Sequence, residues 1–304
     1  MKMFRIALLV SAVVSLSACA HTDDRSAPAA QPDAKTAAAA TAKPAAPPSA
    51  DAVSCPVRGE FDPASGFFSQ FYEDYILAYV LHDRTTGTFV DVGANDPNIN
   101  NVTKYFYQKG WRGIDVEPNP DLVKLLRQAR PEDYVAPVGI SDKPATLTFY
   151  NFPTVNGLST FDRSIADEHT KAGIKYEKLS IPVDTLNNVL AKQTIVKGPF
   201  TFMNVDVEGF EREVLSSLDF KKYPPEIVLA ESTAPETENP TFHSWEKLLD
   251  DQGYIFGMDD GLNRYYVHPD HKDLLPKFVD VNYCVEKDKL AKGLKLNGYM
   301  KEKH

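Results

Sequence analysis

Cysteine is scarce, three residues in 304, at positions 19, 55 and 284. Thiols spaced this widely do not form the close Cys/His pairs that hold zinc, and the seven histidines add no such spacing. Positive charge is in deficit, 33 Lys and Arg against 42 Asp and Glu for a net charge of −9, so no basic face remains for a nucleic-acid partner. The long apolar run from Ile6 to Ala18 is shorter than the roughly 20 residues a membrane-spanning helix needs. What remains, 43% hydrophobic and 25% charged, is enough for one large folded domain or two small ones.

Residues 88–120 organise that domain. Thr88 to Val92 is a short β-branched apolar run ending on Gly93, which reads as a buried strand delivering Asp91 and Gly93 to its carboxyl edge. Val102, Tyr105 and Phe106 have helical spacing within 99–108, and Gly110 stops the helix. A second strand, Arg112 to Val116, ends on Glu117, 24 residues after Gly93. In such a parallel pair the turn holds the middle of a nucleotide and the acid accepts hydrogen bonds from ribose hydroxyls. The turn is Gly93-Ala94-Asn95-Asp96-Pro97, not G-x-G-x-x-G, and a diphosphate there would face Asp96. S-adenosylmethionine has no phosphate and carries an ammonium and a sulfonium, so an acidic turn suits it, with Asp91 and Asn95 toward the methionine end. The plainer alternative is that Gly93 only turns the chain and Glu117 is a solvated strand end.

The run from Phe89 to Pro120 resembles the signature of the FkbM family of S-adenosylmethionine-dependent methyltransferases, in a variant with Asn-Asp-Pro after Gly93-Ala94. S-Q-F-Y-E-D at 69–74, G-L-S-T at 157–160, N-V-D-V-E-G-F-E at 204–211 and D-G-L-N-R-Y-Y-V at 260–267 match in order. The resemblance implies an α/β fold, a doubly wound, mostly parallel Rossmann-like class I methyltransferase sheet with a closing antiparallel hairpin. It implies that a helix over 67–81, with Gln70, Glu73 and Asp74 on its polar face, covers the site; a solvated face is the other reading. An acid after the third strand, Tyr134 to Val138, commonly accepts from the adenine amino group, which makes Asp142 a candidate, though Ser-Asp-Lys-Pro is also ordinary turn chemistry. The glycine loop with Ser159 and Thr160 would border the acceptor pocket, unless these hydroxyls only form the turn. Thr146 to Tyr150 reads as an extra strand, and His169 as a solvated helix residue.

Further acids end further strands. Phe200 to Val205 delivers Asp206 beside the cofactor strand, where it could serve as base for an acceptor hydroxyl or as an oxygen ligand. Glu208 and Glu211 stand at a helix start, where carboxylates meet the helix dipole favourably. Ile227 to Ala230 ends on Glu231, and Asp206, Glu208 and Glu231 together would suit Mg²⁺. A helix around Trp245, Leu248 and Leu249 and two strands, 254–258 and 262–267, joined by an Asp-Gly turn, complete the pattern.

The ends carry different information. Lys2 and Arg5 precede the apolar run, which closes Leu16-Ser17-Ala18-Cys19 and resembles a bacterial lipoprotein cleavage box. That resemblance implies removal of residues 1–18, acylation of Cys19 and a lipid anchor in the membrane; Ala20 is similar to signals for the outer membrane, facing the periplasm. An ordinary signal peptide or an uncleaved anchor is the alternative. From His21 to Ala50, 17 of 30 positions are Ala or Pro, so residues 19–54 read as a tether that cannot bury a core. The domain is expected over 55–284 and a Lys-rich tail over 285–304. In an oxidising compartment Cys55 and Cys284 could pair, or they are two free thiols. The favoured function is methyl transfer from S-adenosylmethionine to a hydroxyl oxygen of a small-molecule or glycan acceptor, a sugar or glycolipid. Because this cofactor is made in the cytosol, three resolutions stay open: a separate supply of the cofactor outside it, a cytoplasmic enzyme with a misassigned start, or an exported binding module on a methyltransferase fold, which ranks second as a function. An NAD-type oxidoreductase ranks third.

Overall fold

The computed structural model describes residues 55, 66–194, 196, 198–235, 237 and 239–291. The expected signal segment, the tether and Cys19 lie outside the described residues. In chain order the elements are α1 (Glu73–Val80), β1 (Thr88–Val92), α2 (Lys104–Gln108), β2 (Arg112–Val116), α3 (Pro120–Ala129) and β3 (Tyr134–Ala136). Then come β4 (Gly139–Ile140), β5 (Ala145–Asn151), α4 (Arg163–Lys171), β6 (Glu177–Asp184) and α5 (Leu186–Lys192). The chain continues through β7 (Phe202–Val205), α6 (Glu211–Ser216), β8 (Ile227–Glu231), α7 (Glu246–Asp250), β9 (Ile255–Asp259), β10 (Asn263–Val267) and α8 (Leu275–Ala291).

The main sheet has seven strands in the order β3-β2-β1-β7-β8-β10-β9. Its first five are parallel. Strand β10 runs antiparallel to both β8 and β9, the closing hairpin implied by the sequence. Strand order reverses between β1 and β7, and in such sheets ligands bind outside the carboxyl ends at that point. Alternation along β1 supplies both faces. Val90 and Val92 join a core with α5, α6 and α7 through Leu186, Val214 and Leu249, while Phe89 packs with α1, α2 and α8 through Ile76, Phe106 and Phe278. Asp91, on the same face as Phe89, is thereby buried at the end of that second core.

A three-stranded sheet, β4-β6-β5, is inserted between β3 and α5. Only β5 of this sheet is among the expected strands. Strand β6 contains Pro182, which has no N–H to donate; β4 pairs only with Val183 and Asp184, so at position 182 one edge of β6 has no partner strand that needs it.

Several boundaries differ from expectation for local reasons. Helix α1 begins at Glu73 because the Asp74 carboxylate accepts from Phe68 N (2.5 Å), Ser69 N (3.1 Å) and Ser69 Oγ (2.6 Å), which folds 66–72 into a loop. Helix α2 begins at Lys104 because Asn101 Oδ1 accepts from the backbone N–H of Thr103 and Lys104. Helix α8 runs past the expected end of the domain, with Val285, Glu286 and Lys289 buried. Cys284 on α8 is bonded to Cys55, with Cα atoms 5.3 Å apart across 229 residues of sequence. None of the helices among the described residues is long and apolar enough to cross a membrane.

Candidate active site

Gly93 leaves β1 with φ +87°, in the left-handed region that glycine adopts without penalty. A Cβ built there would lie 1.8 Å from the carbonyl oxygen of Asp206, so the chain segments leaving the paired strands β1 and β7 come this close only because this residue has no side chain. The N–H groups of Gly93 and Ala94 both donate to the carbonyl of Val116, tying the turn to β2. Glu117 follows directly: its Oε2 accepts from Asn95 N (2.8 Å) and its Oε1 from Asn119 N (2.7 Å). Burial pushes its carboxyl up to about 7, against those two hydrogen bonds. Each oxygen keeps a second lone pair, so Glu117 can still accept from a diol.

A cleft of about 1330 Å³ runs along the carboxyl edges. It extends from Val138 and Ile140 past Glu117 and Gly93 to Asp206, Glu208 and Glu231, and ends at Gln70, Glu73 and Lys289. At that far wall Glu73 accepts from Asn263 Nδ2 (3.1 Å) and Lys289 Nζ donates to the carbonyl of Asp260 (2.5 Å). Burial, then the nearby Asp260, raises Glu73 to about 7. Asp74 is buried under its own loop and does not line the cleft.

Asp91 lines the cleft with both oxygens engaged, Oδ1 by Asn204 Nδ2 (2.9 Å) and Oδ2 by Thr103 Oγ1 (2.9 Å). Burial raises its carboxyl, and Asn204, Arg130 and Thr103 oppose the rise. Asn101 Nδ2 donates to the carbonyls of Ala94 and Asp96 (3.1 Å each), fixing the loop after Gly93. Asn101, Thr103, Asn119, Arg130 and Asn204 are absent from the sequence-based candidates. Asn204 was within reach: it stands two residues after Phe202, and strand alternation puts both on one face. Arg130 read only as the end of a helix.

Asp206, Glu208 and Glu231 each place a carboxylate oxygen within 4.8 Å of the others. Glu208 (φ +53°) and Gly209 (φ +101°) reverse the chain before α6, and the carbonyl of Glu208 accepts from Thr160 Oγ1 (2.8 Å). The expected helix-start role falls to Glu211, whose Oε1 accepts from Gly209 N (3.0 Å); Glu208 precedes the helix and joins the acidic group instead. Glu231 is 5% exposed, and its Oε2 has no hydrogen-bond partner among the described residues. Burial and then Asp206, Glu208 and Glu211 hold its carboxyl well above the usual range. Burial, then Asp91, raises Asp206 to about 6.

Other candidates fall elsewhere. Asp142 is exposed and does not line the cleft, because Ser141 N donates to the carbonyl of Asp184 and turns the chain into the smaller sheet. Ser159 lines the cleft, but its Oγ accepts from Phe152 N (3.0 Å). Thr160 is fully buried and positions Glu208 rather than lining the pocket. His169, expected in solvent, is buried edge-on against Phe152.

Residues 91–256 match the family model described as the methyltransferase FkbM domain. No curated protein matches the chain. Among solved structures, a TehB-like SAM-dependent methyltransferase from Corynebacterium glutamicum is similar, with 11% identity, 66% of this chain and 89% of that chain covered, and a TM-score of 0.37. An O-methyltransferase from Bacillus cereus in complex with SAH shares 9% identity over 67% of this chain and 84% of that one, with a TM-score of 0.34.

Proposed function

The chain belongs to the FkbM family of S-adenosylmethionine-dependent methyltransferases, and from that premise we propose that it methylates a hydroxyl oxygen of a small-molecule or glycan acceptor, a sugar or glycolipid. The observation that carries this reading is the contact of Gly93 with Asp206. Through the Asp206 backbone it brings together, in one cleft, the turn proposed for the cofactor and a residue whose carboxyl is raised by burial, which supports the reading. Glu117 would accept from the ribose hydroxyls, with Asp91 and Asn95 toward the methionine ammonium. The acceptor oxygen attacks the methyl carbon as the carbon–sulfur bond breaks, the electron pair stays on sulfur, and the hydroxyl proton passes to Asp206. Positioning supplies much of the rate, and a base titrating near neutrality supplies a further part.

Asp206, Glu208 and Glu231 would hold a divalent cation such as Mg²⁺, a fit supported by an all-oxygen donor set and by the unpartnered Oε2 of Glu231. A cation there would supply Lewis-acid stabilisation of a developing alkoxide. The Cys55–Cys284 bond supports an exported domain in an oxidising compartment, which accords with a lipid anchor at Cys19 and a periplasm-facing location.

Asp206→Asn tests the catalytic part. It keeps the shape of the site, so cofactor affinity should stay within about threefold while turnover falls by roughly two to four decades. Unchanged turnover would remove Asp206 as the base. An active-site variant and wild type that bind cofactor equally but both fail to methylate any glycan would favour the binding-module reading.

A further inference from the structure

Arg130 follows α3, is 1% exposed and does not line the cleft. Its Nη1 donates to Thr103 Oγ1 (2.5 Å) and Asp115 Oδ1 (3.3 Å). Its Nη2 donates to Asn101 Oδ1 and to the carbonyl of Pro97 (3.4 Å). The two side chains it grips touch the site's own groups: Asn101, which lines the cleft, clamps the carbonyls of Ala94 and Asp96, and the fully buried Thr103 donates to Asp91. One guanidinium therefore fixes both the cleft-lining loop after Gly93 and the carboxylate at the end of β1.

We propose that Arg130 is a positioning residue for the amino-acid end of S-adenosylmethionine, acting through Asn101, Thr103 and Asp91 without touching the cofactor. The inference rests on the cofactor reading above. Arginine suits the task because its planar fork reaches two acceptors on different residues at once, whereas an ammonium is a point charge. Asp115, also buried, lies 3.3 Å from the guanidinium; burial holds its carboxyl well above the usual range and the charge of Arg130 opposes that rise. Glu117, which would serve the ribose, takes one of its two hydrogen bonds from Asn95, inside the clamped loop, and the other from Asn119, outside it. The adenosine end keeps that second anchor and should therefore be less sensitive to Arg130 than the amino-acid end.

That split gives the test, made on the full chain by calorimetry with two probes. S-adenosylhomocysteine carries the amino-acid end, and methylthioadenosine has the same nucleoside and thioether without it. Arg130→Met should weaken S-adenosylhomocysteine at least about tenfold while methylthioadenosine changes less than about threefold, and Arg130→Lys should recover part of the loss. Should Arg130→Met fail to fold by circular dichroism, Thr103→Val, nearly isosteric, carries the same expectation. Parallel loss of both ligands, as a general loosening of the domain would give, overturns the proposal, and so does full S-adenosylhomocysteine affinity in the folded variants. Wild-type protein that binds neither probe overturns the cofactor reading itself, a result distinct from either of these.

Discussion

The backbone of Gly93 packs against the carbonyl of Asp206 so closely that a single added methyl group would overlap it, at 1.8 Å. Two residues 113 apart in sequence thus meet where β1 and β7 end, which places the turn proposed for the cofactor beside the proposed base. Gly93→Ala combines a left-handed backbone, about 1–2 kcal/mol for a non-glycine residue, with a clash that must push β1 and β7 apart. Urea unfolding is expected to show a loss of at least that size, and S-adenosylmethionine binding should be impaired in protein that remains folded.

Glu73 and Glu117 give the cofactor-free protein an unusual pH dependence. Both are buried, and both are raised from 4.5 to about 7. Between those values the folded chain holds more protons than the unfolded one, so stability falls as pH rises through the window. Each group contributes at most about 3 kcal/mol to that fall. Tm should be higher near pH 5 than near pH 8, and Glu73→Gln with Glu117→Gln should flatten the slope. A Tm that climbs from pH 5 to 8 would contradict the assignment.

The strand ends were legible in the sequence and the polar network behind them was not. Glycine and acids after apolar β-branched runs mark a parallel carboxyl edge, which is how Gly93, Glu117, Asp206 and Glu231 could be placed. Partners set by tertiary contact leave no such trace. Arg130 reaches Thr103 across 27 residues, and Asn204 reaches Asp91 across 113. Loop residues were overread in the opposite direction: Asp142 and Thr160 have functional chemistry, but the inserted sheet turns the first outward and buries the second.

The Cys55–Cys284 bond closes a loop of 229 residues. In the chain-entropy model such a closure contributes about 4–5 kcal/mol at most. Protein taken from the envelope should show neither thiol to an alkylating reagent without reductant, and reduction should lower its unfolding midpoint. Two alkylatable thiols would place the domain in a reducing compartment.

Calorimetry of the full chain with S-adenosylmethionine, and separately with NAD, tests the central claim most directly. The account predicts saturable binding of the first and none of the second. It also predicts that Glu117→Ala, by removing both acceptors offered to the ribose diol, weakens S-adenosylmethionine at least about tenfold. Saturable NAD binding with no S-adenosylmethionine signal would contradict it.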